Sequence, residues 1–507
     1  MKRKITALTF LSVALMGSNV AIQGLMAIYL GAGSERDALF VAMSIPLFLN
    51  TLMIGSFGSV VTPAVVAQTH HAIQRGVATR MLLNLTALAA ALTGLLYVFR
   101  DGLVQLLVPG FGMVEQAHTA SLLGIVLAII PLQSATCILG GYWIARERVM
   151  LPNVAVLSGN LAVIVVLAWS GSMATGVRVA WYYLIGAAIT FGVQSFAYLA
   201  ERRSGPKGVT GLRGRDGHLY RDAMPLLASS LVGRSGPLIE RHLASGFNPG
   251  TISCLGYVGY LLNFLVNATA TPVATVYYAR MCRQWNEGRR DELMRFLEKG
   301  TILVVLGSLT VAGGTLLAAH DLLRVVQPYT KFSPANMKEM ADYAAILMIA
   351  YVSMSLASFI ARIFYISSQF VRAALLDCAT ILCYLVLAVP LSRWFGGYGL
   401  VAATSVQMVF LVGLIIWGAK HRFGIILPRR LWIGLAKIFG GWIGCLGIGW
   451  LVRYQLRLHL PPLAGAIIVG GIYLVSLTIF TTRMLPGIGV DWRQLLPQRR
   501  KVAASDL

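Results

Sequence analysis

Fourteen long apolar stretches, separated by short polar breaks, dictate what this 507-residue chain can become. They run approximately over residues 5–30, 38–67, 81–99, 119–145, 151–170, 179–200, 224–246, 251–279, 300–320, 340–366, 373–392, 397–419, 431–452 and 460–482. A helix needs ~20 apolar residues to cross the hydrocarbon layer of a bilayer. Lipid offers no water to backbone amides, so spanning segments are helices or closed barrels. None of the stretches shows the alternation of a barrel strand. The expected fold class is an all-α polytopic membrane protein with about 14 transmembrane helices. Only 12% of the residues are charged, too few to coat the several soluble domains that this length would otherwise imply.

The net charge of +23 would point to nucleic acid in a soluble protein. In a membrane chain it reads as the positive-inside bias, and no nucleic-acid partner is expected. Of the 42 Lys and Arg, 29 fall in the termini and loops that alternate counting assigns to the cytoplasm, 9 on the opposite side and 4 inside spans. A missed span would invert that asymmetry partway along, so the map predicts an even count with both termini cytoplasmic. The apolar run behind Met1-Lys2-Arg3-Lys4 continues to Leu30, longer than the ~7–15 residues of a signal core, and is expected to be a retained first helix. The six cysteines form no CxxC pair, and neither HExxH nor a GxxxxGK[ST] loop occurs. No metal or other cofactor is expected. Any transport is expected to draw on the membrane potential or an ion gradient, Na+ or H+.

A weak internal repeat organises the spans. Tyr29-Leu30-Gly31-Ala32-Gly33 before span 2 resembles His242-Leu243-Ala244-Ser245-Gly246 before span 8, and Thr62-Pro63 recurs as Thr271-Pro272. The expected organisation is an N-lobe over 1–200, a basic cytoplasmic linker over 201–223, a C-lobe over 224–420, spans 13 and 14 over 421–483 and a basic cytoplasmic tail over 484–507. Each lobe holds six helices, related by a pseudo-two-fold axis along the membrane normal. The second long cytoplasmic loop is expected at 280–299, with six Lys or Arg. The tail, with Trp492, Leu495 and Leu496 among its basic residues, reads as a segment lying on anionic lipid.

Ionisable side chains inside a membrane are costly and usually face a protein cavity. Span 7 is densest in them: Arg234, then Gly236-Pro237, then Glu240 and Arg241. Arg234 and Arg241 lie two turns apart on nearly one face. Gly236 and Pro237 interrupt the helix between them, freeing backbone groups that need a polar cavity and forming a candidate hinge. Such a cationic wall suits phosphate, for which the guanidinium fork is matched. For Arg241 the rival is a pair with Glu240, and for Arg362 of span 10 it is snorkelling to the interface. Asp37 reads as a cap on the helix it opens, and Asp377 as a rim partner of Arg372. Asn50 stands out among the uncharged polar residues, because Gly55, Ser56, Gly58 and Ser59 around it permit bending or close lobe contact.

Several of these segments together resemble the lipid II flippases of the MurJ/MviN family, in the multidrug/oligosaccharidyl-lipid/polysaccharide exporter superfamily. Leu30-Gly31-Ala32-Gly33 with Asp37-Ala38-Leu39-Phe40-Val41-Ala42 is similar to the family's GAG…DAFFVA signature, and Val108-Pro109-Gly110-Phe111 to its APGF turn. Leu151-Pro152 with Asn160, Glu240 to Gly246 with Gly250-Thr251-Ile252-Ser253, Arg362-Ile363-Phe364-Tyr365 and Gly399 to Ser405 match in order, over roughly residues 15–420. The resemblance implies a two-lobed alternating carrier of an undecaprenyl-diphosphate-linked saccharide in the bacterial inner membrane. Its partners would be that lipid-linked substrate, anionic lipids, and glycan synthesis or polymerase proteins. This chain departs from the family pattern: Met16, Ile22, Asn50 and Tyr260 stand where the family has arginines, and Gln23 where it has an acid. Tyr384 and Ala388 replace polar residues of the sodium site of some members, leaving Glu240 and Thr404 for ion coupling.

The expected function is therefore a flippase, not an enzyme, with Arg234, Arg241, Arg362 and Asn50 as substrate-binding residues. Glu240 and Thr404 are the expected coupling residues, and Gly55, Gly58, Gly236 and Pro237 the hinge. The cargo is lipid II or an exopolysaccharide or capsule repeat unit. Two rivals stand beside it: a cation-coupled multidrug exporter, which favours acidic cavity residues, and a membrane glycan polymerase or ligase, which needs a larger outer domain.

Overall fold

The computed structural model describes residues 2–66, 71–204, 231–367, 369–425, 427–456 and 461–487. Among them there are helices and no strand: α1 (Lys2–Tyr29), α2 (Ser34–Val66), α3 (His71–Val98), α4 (Arg100–Leu107), α5 (Met113–Val126), α6 (Ile129–Ala145), α7 (Met150–Ser170), α8 (Gly176–Ser204), α9 (Gly236–Ala244), α10 (Thr251–Asn286), α11 (Arg290–Val326), α12 (Pro334–Ile360), α13 (Arg362–Ile366), α14 (Phe370–Phe395), α15 (Gly397–Phe423), α16 (Arg429–Leu456) and α17 (Pro462–Gly487). Twelve helical runs among the described residues are long and apolar enough to cross a membrane. The expected spans missing from the twelve, the second and the seventh, include residues outside the described set. Most of the linker 201–223 and of the tail 484–507 also lies outside it. Leu88, Val165, Phe196, Val386 and Ile467 are exposed, as lipid-facing side chains are.

The chain packs as two compact units. The first gathers the described residues of Met1–Tyr257, Gln327–Asn336 and Asp377–Leu400; the second gathers those of Val258–Val326, Met337–Leu376 and Val401–Leu507. In the first unit α6 packs against α2, α3 and α8, and α7 against α1 and α8. Its core holds Val77, Met81 and Leu85 of α3 against Ile138, Leu139, Tyr142 and Trp143 of α6 and Tyr198 of α8. Tyr142 meets the rings of Trp143 and Tyr198 edge-on, each at 5.2 Å between centroids, a geometry worth about 0.5–1.5 kcal/mol per pair beyond area burial. The Tyr198 hydroxyl is satisfied by Thr79 Oγ1 at 2.7 Å. Small residues let α7 and α8 approach: a Cβ on Gly159 would stand 2.5 Å from the Gly186 carbonyl oxygen and would overlap Thr190 Oγ1. Without a hydrophobic drive between helices in lipid, such close backbone packing supplies the adhesion. Asn160 adds an interhelical hydrogen bond, donating to Ser18 Oγ at 2.9 Å.

In the second unit α11 carries α16 and α17. The Leu309 carbonyl of α11 accepts from Trp442 Nε1 of α16 at 2.8 Å and from the Tyr473 hydroxyl of α17 at 3.0 Å. All of these groups are buried, so both donors are satisfied where water cannot serve them. The segment 280–299 differs from the loop expected there. α10 runs on to Asn286 and α11 begins at Arg290, so the basic residues sit on a helical hairpin tip. Hydropathy registers only the apolar middle of a helix, and a charged helix end reads as loop.

Candidate functional site

The break expected in span 7 is present. Residues 231–233 are helical, Arg234 and Ser235 leave the helix, and α9 starts at Gly236 with Pro237 in its first turn. Proline is tolerated there because its missing N–H would lack an intrahelical acceptor anyway. The turn closes through Ser235, whose N–H and Oγ both donate to the Val232 carbonyl at 3.1 and 2.8 Å. The glycines flanking the break lie against α14: a Cβ on Gly233 would be 3.2 Å from Asp377 Cβ, and one on Gly236 would be 3.5 Å from Ile381 Cδ1. Arg234 is exposed at this break, close enough for its charge to act on the Asp377 carboxylate. Asp377 thus faces span 7, where the sequence suggested Arg372 as its partner. Arg372 donates to Gln369 Oε1 at 2.6 Å instead.

A second cluster joins the start of α2 to the start of α10. Asp37 is buried and does not cap its own helix. Its carboxylate accepts from the backbone N–H of Gly250 at 2.6 Å and of Ser253 at 2.7 Å, and from the Ser253 hydroxyl. It therefore caps α10, whose first turn offers orphan donors and a positive dipole end. Gly250, at φ +95°, holds a conformation L side chains rarely adopt, and a Cβ there would meet the Ala32 backbone at 3.3 Å. Asn336 closes the same junction by donating to the Ala32 carbonyl at 3.1 Å.

Arg36, counted from sequence as an ordinary loop charge, is also buried. It donates through Nη2 to Gln23 Oε1 at 2.9 Å and through Nε to the Tyr257 hydroxyl at 3.2 Å. Its guanidinium sits 3.9 Å from the Phe40 ring centroid and 5.1 Å from that of Tyr257. The two adjacent charges, Arg36 and Asp37, thus fasten different partners. The Phe40 contact has a helical i,i+4 spacing visible in the sequence; Gly250, Ser253 and Tyr257 are more than 200 residues away and leave no local signal.

Arg241 is buried and pairs with Glu240 through Nη1 and Oε1 at 2.6 Å. Its guanidinium lies 5.5 Å from the Phe40 ring centroid, and its charge acts on Asp37. α9 is pinned near its end by His242 Nδ1, 2.8 Å from the Leu106 carbonyl oxygen, and by Ser245 Oγ, which accepts from the Gly110 N–H at 3.2 Å. In the second unit Arg362 opens α13 after a turn at Ala361, with its guanidinium 5.3 Å from the Tyr278 ring centroid. Its Nε is buried without a hydrogen-bond partner among the described residues. Thr404 is half-buried in α15 of the second unit, and Asn50 half-buried in α2 of the first. Gly55 and Gly58 lie within α2, where their surroundings are outside the described residues.

The sequence pattern of the family described as lipid II flippase MurJ matches residues 26–461. A probable lipid II flippase MurJ of Vibrio cholerae serotype O1 is 25% identical over 213 residues, 40% of this chain and 38% of that protein, so the match spans well under half of that relative's length. A solved lipid II flippase MurJ in an inward closed conformation superposes with a TM-score of 0.78 at 16% identity, covering 95% of this chain and 99% of the other. An inward-facing multidrug resistance MATE family transporter of the MOP superfamily gives a TM-score of 0.65 at 14% identity, over 80% of this chain and 94% of the other. At these identities the two structures establish the fold.

Proposed function

The chain belongs to the lipid II flippase MurJ family, and from that premise we propose that it carries a polyprenyl-diphosphate-linked saccharide from the cytoplasmic to the periplasmic leaflet by alternating access. It is a multi-pass inner-membrane protein of a transporter family, not an enzyme. The observation that carries the reading is Arg234, a cation at a helix break within a membrane chain, with the Asp377 carboxylate as its neighbour. An incoming diphosphate replaces that carboxylate as the partner of the guanidinium, which binds phosphate through two parallel N–H donors. Arg241, Arg362 and Asn50 complete the proposed substrate set. Glu240 and Thr404 serve ion coupling, and Gly55, Gly58, Gly236 and Pro237 the hinge. Membrane potential, or a gradient of Na+ or H+, drives the cycle without a bound cofactor.

The cargo is lipid II or the repeat unit of an exopolysaccharide or capsule. The six-helix lobes, 1–200 and 224–420, alternate about the substrate, both termini stay cytoplasmic, and the basic tail lies on anionic lipid near glycan synthesis or polymerase proteins. A multidrug exporter favours acidic cavity residues for cationic drugs, and the two acids near the break, Glu240 and Asp377, each lie beside an arginine, Arg241 and Arg234. The test is rescue of cells depleted of their own lipid II flippase, alongside uptake of a fluorescent lipid-linked saccharide by proteoliposomes. Rescue assigns lipid II. Liposomal flipping of another polyprenyl-diphosphate sugar without rescue assigns a repeat unit. Drug export with neither overturns the reading.

A further inference from the structure

We propose that the groove between the tips of α10 and α11 is a binding site for the phosphodiester headgroup of an anionic, hydroxyl-bearing glycerophospholipid such as phosphatidylglycerol. The groove is a cavity of about 620 Å³ lined by Arg280, Arg283, Gln284, Glu287, Arg289, Glu292 and Phe296. Arg280, Arg283 and Gln284 share one face of α10, Glu287 follows in the turn just past its end, and Glu292 and Phe296 come from the opening turns of α11. Gly288, at φ +70°, makes the tight turn that sets the two helix ends side by side.

The charges in the groove are ordered. Glu287 accepts from Arg283 Nε at 2.9 Å through one carboxylate oxygen and faces Arg289 Nε at 3.3 Å through the other. Arg289 Nη1 lies 3.7 Å from Glu292 Oε1. Arg283 pairs through Nε alone among the described residues, which leaves its two terminal nitrogens for an outside acceptor. Arg280 has its guanidinium 5.9 Å from the Phe296 ring centroid and no carboxylate partner among the described residues. Three arginines against two glutamates leave one positive charge, which matches a phosphodiester monoanion. Gln284 supplies an independent signal: it lines the groove, and its shielded Oε1 has no hydrogen-bond donor among the described residues. Phosphate cannot satisfy an acceptor, but a hydroxyl beside the phosphate can.

The position suits a lipid. At ~1.5 Å per residue the 36 residues of α10 and 37 of α11 form rods of about 54 and 55 Å, against a hydrocarbon layer of ~30 Å. The charged ends are the parts that emerge, so Arg280 and Arg283 stand at headgroup depth on the membrane face that carries the basic loops. The site involves neither the span 7 break nor the cargo, so it stands or falls separately from the transport reading.

Native mass spectrometry of the purified full chain tests it, with titrations of phosphatidylglycerol, phosphatidylmethanol (the same charge, no free hydroxyl) and phosphatidylcholine. The wild-type chain is expected to bind phosphatidylglycerol about tenfold more tightly than phosphatidylcholine. The double variant Arg280→Gln, Arg283→Gln brings it down to the phosphatidylcholine level. Gln284→Leu brings it to the phosphatidylmethanol level and leaves phosphatidylmethanol binding unchanged. Equal binding of phosphatidylglycerol and phosphatidylcholine, or a double variant that binds like wild type, overturns the site. Displacement of the lipid by an equal concentration of soluble glycerol phosphate overturns a lipid-borne ligand. A lipid-linked sugar diphosphate that outcompetes phosphatidylglycerol overturns the monoanion assignment.

Discussion

The Asp37 carboxylate receives the backbone N–H of Ser253 at 2.7 Å, so the start of α2 supplies the cap for the start of α10. The Gly250 N–H, at 2.6 Å, adds a second charge-assisted bond to the same group. Bonds of this type contribute about 1.5–3 kcal/mol each when one partner is ionised. Asp37→Asn turns one of the two acceptor oxygens into an N–H₂ that opposes a backbone donor, and is expected to lower stability by about 2 kcal/mol. Ser253→Ala removes only the hydroxyl and costs about 1 kcal/mol. Thermal unfolding of both variants in detergent, with the double variant, checks the coupling; additive losses mean the two residues act independently.

Gln23 is the neutral partner of a buried arginine, and an acid there has an obvious mate. Gln23→Glu is expected to raise the melting temperature, because Arg36 Nη2 already lies 2.9 Å from Gln23 Oε1. Gln23→Leu strands the guanidinium edge and lowers it. Arg36→Lys loses the planar stacking on Phe40 and Tyr257 and is expected to cost about 1–2 kcal/mol. A Gln23→Glu chain that melts lower than wild type contradicts this account of the pocket.

Arg234→Ala is expected to reduce transport of the lipid-linked saccharide at least about tenfold, with insertion and melting unchanged because the side chain is exposed at the break. Asp377→Asn removes the carboxylate that competes with the cargo, so apparent affinity rises while turnover falls. Substrate binding and flipping rate, measured separately in proteoliposomes, resolve the two effects. An Arg234→Ala chain of full activity removes the cationic site.

Gly159→Ala tests the close helix pair in the first unit. The new methyl would stand 2.5 Å from the Gly186 carbonyl oxygen, backbone that a rotamer change cannot clear. The expected loss is about 1–3 kcal/mol, read as a lower melting temperature. Gly94→Ala, with open space around its Cβ position, serves as the control and is expected to be neutral or slightly stabilising.

Much of this molecule was legible in the sequence because lipid imposes one rule on every span. The apolar runs located the helices, and Gly236-Pro237 located the break that leaves Arg234 outside the helix. Two features were not legible, for different reasons. The basic helix ends at 280–299 carry a helical face too polar for a hydropathy window, and so read as a loop. Arg36 and Asp37 looked like a loop charge and a local cap because their partners, Tyr257, Gly250 and Ser253, are distant in sequence. Local propensity can reveal that Asp37 wants helix amino-terminal donors, but not which helix provides them.

The shared acceptor at Leu309 ties the last two helices to α11 like two spokes pinned at one hub. A fluorophore attached near the end of α17 would therefore ride with α11 and report its tilt during turnover. Pruning α16 and α17 would uncover a carbonyl to oil and empty the niche where the Tyr473 ring lies over Gly313, so a shortened chain should clump or be degraded before its loss of transport could be measured.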